Sequence, residues 1–203
     1  RAIVGEGPNV TRADPVPVTD ALPNPLQSAA LARPDHPAIV AGGRSLSFAE
    51  LKLEVATRAE TLYRIGVRAG AAVQLRGGDR VEHVIAWHAV QWLGAHPAPD
   101  AACSVDCAAL RPAERQRPER TWPDQEVRLA LDTSGTTGEP RRIELTTRQL
   151  TYSAFGSAIR LGHHLNDRWL CCMPLNHVAG QSILMRCALL GTTVVLHERF
   201  DAQ

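Results

Sequence analysis

Residues 131–142, LDTSGTTGEPRR, concentrate groups that bind anions. The hydroxyl side chains donate hydrogen bonds, and Gly135 and Gly138 let main-chain N–H groups converge where a Cβ would obstruct them. Arg141 or Arg142 would add a charge-assisted hydrogen bond of about 1.5–3 kcal/mol. This order of residues predicts a phosphate site. The alternative is an ordinary surface turn, because Ser, Thr and Gly are common in loops.

Two familiar phosphate-binding patterns are absent from the sequence. Only two residues separate Gly135 from Gly138, so G-x-x-x-x-G-K-[ST] is not formed, and G-x-G-x-x-G does not occur. Any phosphate site here therefore belongs to another class of loop.

A second candidate site is the segment 174–180, PLNHVAG, together with the apolar helix predicted after it. His177 could be a site residue or a structural histidine with satisfied hydrogen bonds. Ser182 and Arg186 lie one helical turn apart and share a face. A buried arginine needs an anionic partner. That partner would be an Asp or Glu of this chain, or the second carboxylate of a dicarboxylic substrate.

The apolar periodicity predicts that both candidate sites lie within a series of alternating strands and helices. Apolar strands alternating with helices predict an α/β fold, a layered, mainly parallel sheet with helices on both faces. The first candidate loop would then join a strand directly to a helix, where open parallel sheets bind ligands. The predicted helices are 25–34, one capped by Ser47 and Glu50, 80–93, 147–162 and 178–190, and the predicted strands are 37–48 (a pair), 71–75, 127–131, 168–173 and 192–196.

Proline marks the segments outside this pattern. Residues 1–24 predict an extended lead-in, and 25–203 one domain, in which 98–124 is an exposed loop with alternating arginine and glutamate. Trp87, His88 and Trp92 on the third helix are predicted to pack in the core.

Composition restricts the class of protein. The 203 residues carry a net charge of +1, which gives no general attraction to nucleic acid, and no apolar run approaches a membrane span. Five irregularly spaced cysteines argue against a disulfide framework and indicate a reducing, cytoplasmic compartment, with no metal site predicted.

The order TSGTTG-x-P followed by a cation closely resembles the ATP phosphate loop of the adenylate-forming superfamily, which includes acyl-CoA synthetases, luciferases and peptide-synthetase adenylation domains. RSLSFAEL (44–51) is similar to the superfamily's early strand and helix start, and PLNHVAG to its second core motif. Residues 167–203 look most like the o-succinylbenzoate–CoA ligase branch, which serves menaquinone biosynthesis. The resemblance implies the fold of the N-terminal subdomain of these enzymes.

The resemblance also implies a reaction. A carboxylate attacks the α-phosphate of Mg-ATP to give an acyl-adenylate, and coenzyme A then displaces AMP. The implied ligands are ATP, Mg²⁺, coenzyme A and a small carboxylic acid. The residues implied to cradle the phosphates are Thr133, Ser134, Gly135, Thr136, Thr137 and Gly138, with Arg141 at the lysine position of the family. The residues implied at the substrate are His177, as a catalytic wall of the carboxylate site, Gly180, Gln181, Ser182 and Arg186.

The chain departs from the family in several respects. Arg141 replaces a lysine, Arg142 a glycine and Asn176 an aromatic residue, and Asp132 places a negative charge beside the proposed phosphates. The resemblance covers only the N-terminal part, without the C-terminal domain that carries the catalytic lysine. We therefore expect inactivity alone, and dimerisation or pairing with a missing fragment that covers an open sheet edge. Alternatives are a non-catalytic scaffold, and a hydrolase or transferase that uses His177 or a cysteine.

Overall fold

The computed structural model describes residues 20–133 and 141–200, with the side chain of Thr133 excepted. This part of the chain has an α/β fold, as predicted. Its helices are α1 (Pro25–Ala32), α2 (Phe48–Arg64), α3 (Arg80–Trp92), α4 (Thr147–Leu161) and α5 (Val178–Leu190). Its strands are β1 (Ala21–Leu22), β2 (Pro37–Ala41), β3 (Arg44–Ser47), β4 (Ala72–Arg76), β5 (His96–Pro97), β6 (Cys103–Asp106), β7 (Trp122–Pro123), β8 (Val127–Thr133), β9 (Arg141–Thr146), β10 (Arg168–Cys171) and β11 (Thr193–Leu196).

The strands form several sheets, two of which are mainly or wholly parallel. In the four-stranded sheet the order is β10-β11-β2-β3, where the first three strands are parallel and β3 closes an antiparallel hairpin with β2. Helix α5 is the crossover between β10 and β11. In the second sheet β5 and β6 flank β4, and both pairings are parallel. The prediction of parallel strands with crossover helices is confirmed.

The helices begin where side chains can satisfy their first N–H groups. Ser47 and Glu50 form the predicted capping box of α2, and Thr146 and Gln149 form another at α4. Helix α5 ends at Gly191, whose φ of 64° is left-handed and favours glycine. Among the described residues no helix has the length and apolar character needed to cross a membrane.

Helix α3 lies in the centre of the core. Trp87, His88 and Trp92 are buried, which confirms that they pack in the core. The His88 ring lies edge-on to that of Trp87, and burial lowers the pKa of His88 to about 3. His88 is therefore a neutral core residue at physiological pH.

The sequence prediction was wrong about the element that follows the phosphate-loop motif. Residues 141–146 form a strand that pairs antiparallel with β8, so the motif connects two strands of a hairpin rather than a strand and a helix. Ile143 and Leu145 pair across from Leu131 and Leu129, which supplies the apolar cross-strand contacts of the hairpin. The polar residues between them, with two arginines at the start, concealed this strand in the sequence.

The segment 98–124 also differs from the expected exposed loop. Val105 lies on β6, which pairs with β4, and Trp122 lies on β7, which pairs with β1; both side chains are buried. Residues 111–120 are mostly exposed. Prolines therefore marked the irregular backbone correctly, but they concealed short strands whose apolar side chains complete the core. Of the predicted lead-in, residues 1–19 lie outside the described residues.

Candidate functional site

A cavity of about 110 Å³ lies beside the PLNHVAG segment. Its walls come from α3, from β4, from the residues after β5, from the middle of β8 and from the start of α5. The lining residues are Gln74, Leu75, His83, Trp87, Pro97, Ala98, Pro99, Ala130, Leu175, Asn176 and Gln181. The fold thus brings the second motif next to the strand that leads into the first.

The turn before α5 is held tightly against the helix. A Cβ on Gly180 would lie 2.4 Å from the carbonyl oxygen of Pro174, so only glycine fits without displacing that backbone. His177 is the N-cap of α5, and its Nδ1 accepts a hydrogen bond of 3.3 Å from the N–H of Ala179. Leu175 is buried and Asn176 is exposed at the cavity. Gly180 therefore sets the position of the residues that line the cavity.

One buried polar group of the cavity is the amide of Gln181. Its Oε1 accepts a 2.8 Å hydrogen bond from the indole Nε1 of Trp87, and both side chains are buried. The sequence predicted Gln181 as a site residue. It assigned Trp87 only to the core, and it gave no site role to Gln74 or His83, which lie on a predicted strand and a predicted helix. Apolar helical spacing gave no signal that one face of α3 meets a cavity.

His83 lies at the boundary between the cavity and the surface. Burial, with a smaller contribution from the nearby charge of Arg80, lowers the pKa of His83, so the neutral imidazole is favoured. Its Nδ1 is 3.9 Å from the Cys107 sulfur, and burial raises the pKa of that thiol to about 11. The thiol is therefore protonated at neutral pH and a poor nucleophile. The alternative of a cysteine-dependent hydrolase gains no support from this contact.

The described flanks of the phosphate-loop motif are joined by a salt bridge. Thr133 and Arg141 are the last paired residues of the hairpin. Next to them the Nε of Arg142 donates to the carboxylate of Asp132 at 3.1 Å, and its Nη2 donates to the carbonyl of Pro99 at 2.8 Å. The pair balances the charge of Asp132 and ties the hairpin to the cavity wall. Ser134, Gly135, Thr136, Thr137 and Gly138 lie outside the described residues.

Arg186 does not line the cavity, and neither expected partner is beside it. Its Nη2 donates to the hydroxyl of Ser157 on α4 at 2.8 Å, and its guanidinium lies 4.3 Å from the centre of the Trp169 ring. No described carboxylate lies within 4.0 Å of it. Ser182, one turn earlier, is half-buried. A hydroxyl and an aromatic face stabilise this arginine where we expected an acidic residue or a substrate.

The sequence of the chain and its α/β fold both match a known family of enzymes. The chain belongs to the AMP-binding enzyme family, whose sequence model matches residues 26–102 and 100–203.

Within that family the chain is similar to ligases that act on succinylbenzoate. It is 32% identical to the 2-succinylbenzoate–CoA ligase of Bacillus licheniformis over 89% of this chain and 46% of that protein. The o-succinylbenzoate coenzyme A synthetase of Bacillus subtilis, solved with ATP and magnesium, superposes with a TM-score of 0.82 at 28% identity, over 89% of this chain and 46% of that one. The same synthetase, solved with its acyl-adenylate intermediate, gives a TM-score of 0.81 at 28% identity, over 89% and 45%. This chain therefore spans about half the length of the relatives it matches, and it corresponds to their N-terminal part.

Proposed function

We propose that this chain supplies the N-terminal part of an ATP-dependent carboxylate–CoA ligase. The reaction would be acyl-adenylate formation followed by thioester formation, with o-succinylbenzoate as the acid and menaquinone biosynthesis as the pathway. The observation that carries the proposal is the cavity between the PLNHVAG turn and β8. It brings Asn176 and Gln181 next to the strand that leads into the phosphate-loop motif.

The described residues fit an ATP phosphate site at the hairpin. A lone carboxylate at Asp132 would repel phosphates, but its pairing with Arg142 removes that obstacle. In the proposal Thr133, Ser134, Gly135, Thr136, Thr137 and Gly138 would hold the β- and γ-phosphates, with Arg141 contributing positive charge. Bound ATP and Mg²⁺ would supply the activated α-phosphate and screen its charge.

The acid would bind at the cavity and at the adjoining turn, where His177 is exposed outside the cavity lining. This residue would form one wall of the carboxylate site and position the substrate, Gly180 would keep the turn close to the helix, and Gln181 would offer its amide. Ser182 and Arg186 do not line the cavity, so they are proposed to meet the second carboxylate beyond it, for which Arg186 would exchange its contact with Ser157. Comparing the wild-type chain with Arg186→Ala for binding of o-succinylbenzoate and of benzoate tests this role, because equal losses for both acids would refute it.

Residues 1–203 span about half the length of the relatives that they match. We therefore expect these residues on their own to bind ligand without turnover. The five cysteines are free thiols, which is compatible with the proposed cytoplasmic location.

Thermal unfolding with ligands tests the proposal. We would add Mg-ATP, or a sulfamoyl analogue of the o-succinylbenzoyl adenylate, to the isolated chain. A ligand at about 100 times its Kd stabilises by about 2.7 kcal/mol, which raises the Tm by roughly 5–10 °C for a chain of this size. Thr136→Ala combined with Thr137→Ala should abolish the rise, whereas Ser153→Ala on the exposed side of α4 should leave it intact. No shift with either ligand would refute the phosphate site and favour a non-catalytic scaffold.

A further inference from the structure

One stripe of helix α3 faces the PLNHVAG segment. Arg80, His83 and Trp87 are spaced i, i+3 and i+7, so their side chains lie on the same side of the helix. Trp87 binds Gln181, which follows the segment, and His83 lines the same cavity as Asn176. The stripe therefore meets the segment at the cavity and beyond it, and its first residue lies where the chain enters the turn.

Arg80 binds the start of the turn that connects β10 to α5. Its Nη2 donates a 2.9 Å hydrogen bond to the carbonyl of Cys171, at the end of β10, and another of 2.9 Å to the carbonyl of Met173, within the turn. The Arg80 side chain is half-buried. These two bonds join the first turn of α3 to a segment about 90 residues further along the chain.

The contacts inside the turn fix its shape, but they do not fix its distance from α3. The N–H of His177 donates to the carbonyl of Pro174 at 3.1 Å, and Gly180 lies close to the same carbonyl. Both contacts join residues of one segment and would move with it. A side chain of another element must set where the segment lies, and α3 supplies Arg80 before the cavity and Trp87 after it.

The guanidinium of Arg80 is available to these carbonyls because acids near it have other partners. Among the described residues no carboxylate lies within 4.0 Å of it. Its chain neighbours Asp79 and Glu82 form the capping box of α3, in which each carboxylate accepts a main-chain N–H. A charged donor makes stronger hydrogen bonds than a neutral one, so Arg80 can hold an irregular stretch of backbone.

Both bonds come from one nitrogen atom of Arg80. The Nη2 reaches both carbonyls, whereas the Nε is buried and no described group accepts a hydrogen bond from it. A lysine ammonium likewise carries all its donors on one atom. Arg80→Lys should therefore keep the contact, and Arg80→Met should lose it because methionine has no donor.

We propose that Arg80 is a positioning residue of the candidate acid site. By holding the turn at its start, Arg80 sets the distance of Asn176 and His177 from the cavity wall on α3. This inference rests on the proposed function, in which the acid binds at the cavity and at this turn. The phosphates of Mg-ATP would bind at the hairpin of β8 and β9 instead. Loss of the Arg80 contact should therefore weaken binding of the acid more than binding of the nucleotide.

Two ligands and two variants test this role on the 203-residue chain. Calorimetric titration measures the affinity for Mg-ATP and for the sulfamoyl analogue of the o-succinylbenzoyl adenylate, which carries the acid. Arg80→Met should weaken binding of the analogue about tenfold and change the affinity for Mg-ATP less than about twofold. Arg80→Lys should bind both ligands within about threefold of the wild-type affinity.

Arg33→Met is the matched control for a purely structural arginine. Arg33 is also half-buried, and it donates to two carbonyls distant in the chain, those of Leu165 and Gly191. Its loss should lower the Tm in the same way as loss of Arg80, but it should leave the affinity for the analogue within about twofold of wild type.

Hydrogen exchange with mass spectrometry measures the turn without any ligand. Amides of residues 172–181 should exchange faster in Arg80→Met than in the wild-type chain, because the turn opens more readily once its link to α3 is lost. In Arg80→Lys and Arg33→Met the exchange of these amides should match the wild type.

The proposal is overturned if Arg80→Met weakens both ligands equally, if Arg33→Met weakens the analogue as much, if Arg80→Lys recovers no affinity, or if exchange of the turn is unchanged in Arg80→Met. Any of these results in a chain whose wild type binds ligand refutes the role of Arg80 alone. A wild-type chain that binds neither ligand refutes the proposed function, and the role of Arg80 at the acid site with it.

Discussion

Replacing Gly180 with alanine tests the tight turn that shapes the cavity. The added Cβ would lie 2.4 Å from the carbonyl oxygen of Pro174 and 3.3 Å from the Cα of Leu175. The shorter contact is roughly 1 Å inside ordinary van der Waals distance, and both neighbours are backbone atoms that cannot rotate away. The helix or the turn must therefore move.

The expected change in the free energy of unfolding of Gly180→Ala is the sum of two opposing effects. Forcing extra atoms into a packed site costs typically about 1–3 kcal/mol. Alanine in place of glycine within a helix gains up to about 1 kcal/mol, and less in the first turn, where Gly180 lies. We expect a net destabilisation of about 1–2 kcal/mol, which lowers the Tm by roughly 2–8 °C for a chain of this length.

Gly156 provides the matched control. It lies inside α4, and a Cβ there would have no heavy atom within 4 Å. Gly156→Ala should therefore stabilise by about 0.5–1 kcal/mol and raise the Tm. Thermal unfolding of both variants by circular dichroism, repeated with the sulfamoyl adenylate analogue, measures stability and cavity shape together. Equal stabilisation by the two replacements, or undiminished ligand binding by Gly180→Ala, would refute the reasoning.

Three further predictions concern the hairpin, the cavity floor and a buried histidine. Arg142→Ala should weaken Mg-ATP binding about three- to tenfold, because the negative charge of Asp132 is then left unpaired. Adding Asp132→Asn should restore most of the affinity; calorimetric titration measures both, and a double variant that binds no better than Arg142→Ala would contradict the prediction. Gln181→Leu should destabilise by about 1–3 kcal/mol in urea unfolding, because the buried indole N–H of Trp87 loses its acceptor; an unchanged midpoint would argue against that bond. Burial lowers the pKa of His88 to about 3 in the folded protein, so as the pH falls His88 is protonated in the unfolded state before it is protonated in the folded state. The free energy of unfolding should therefore decrease as the pH falls from about 6.5 towards 3. His88→Leu should make that slope shallower in pH-dependent unfolding, and an equal slope would contradict the assignment.

Local signals in the sequence predicted most of the elements. Ser47 with Glu50 marked the start of α2, because capping depends on neighbours within one turn. The family resemblance was likewise contained in short runs of residues. What local signals could not predict was β9, since its pairing with β8 depends on a cross-strand partner rather than on its own polar sequence.

The candidate site likewise has some features that local sequence predicts and others that depend on contacts between distant segments. The sequence by itself determined the α/β alternation, the phosphate-loop motif and the PLNHVAG turn, because these depend on residue type and order over a few positions. Only the tertiary structure decided that Trp87 and His83 share a cavity with Gln181, that Arg142 balances Asp132, and that Arg186 lies on Trp169. Those contacts join segments distant in the chain, and their partners are fixed by how the layers pack together.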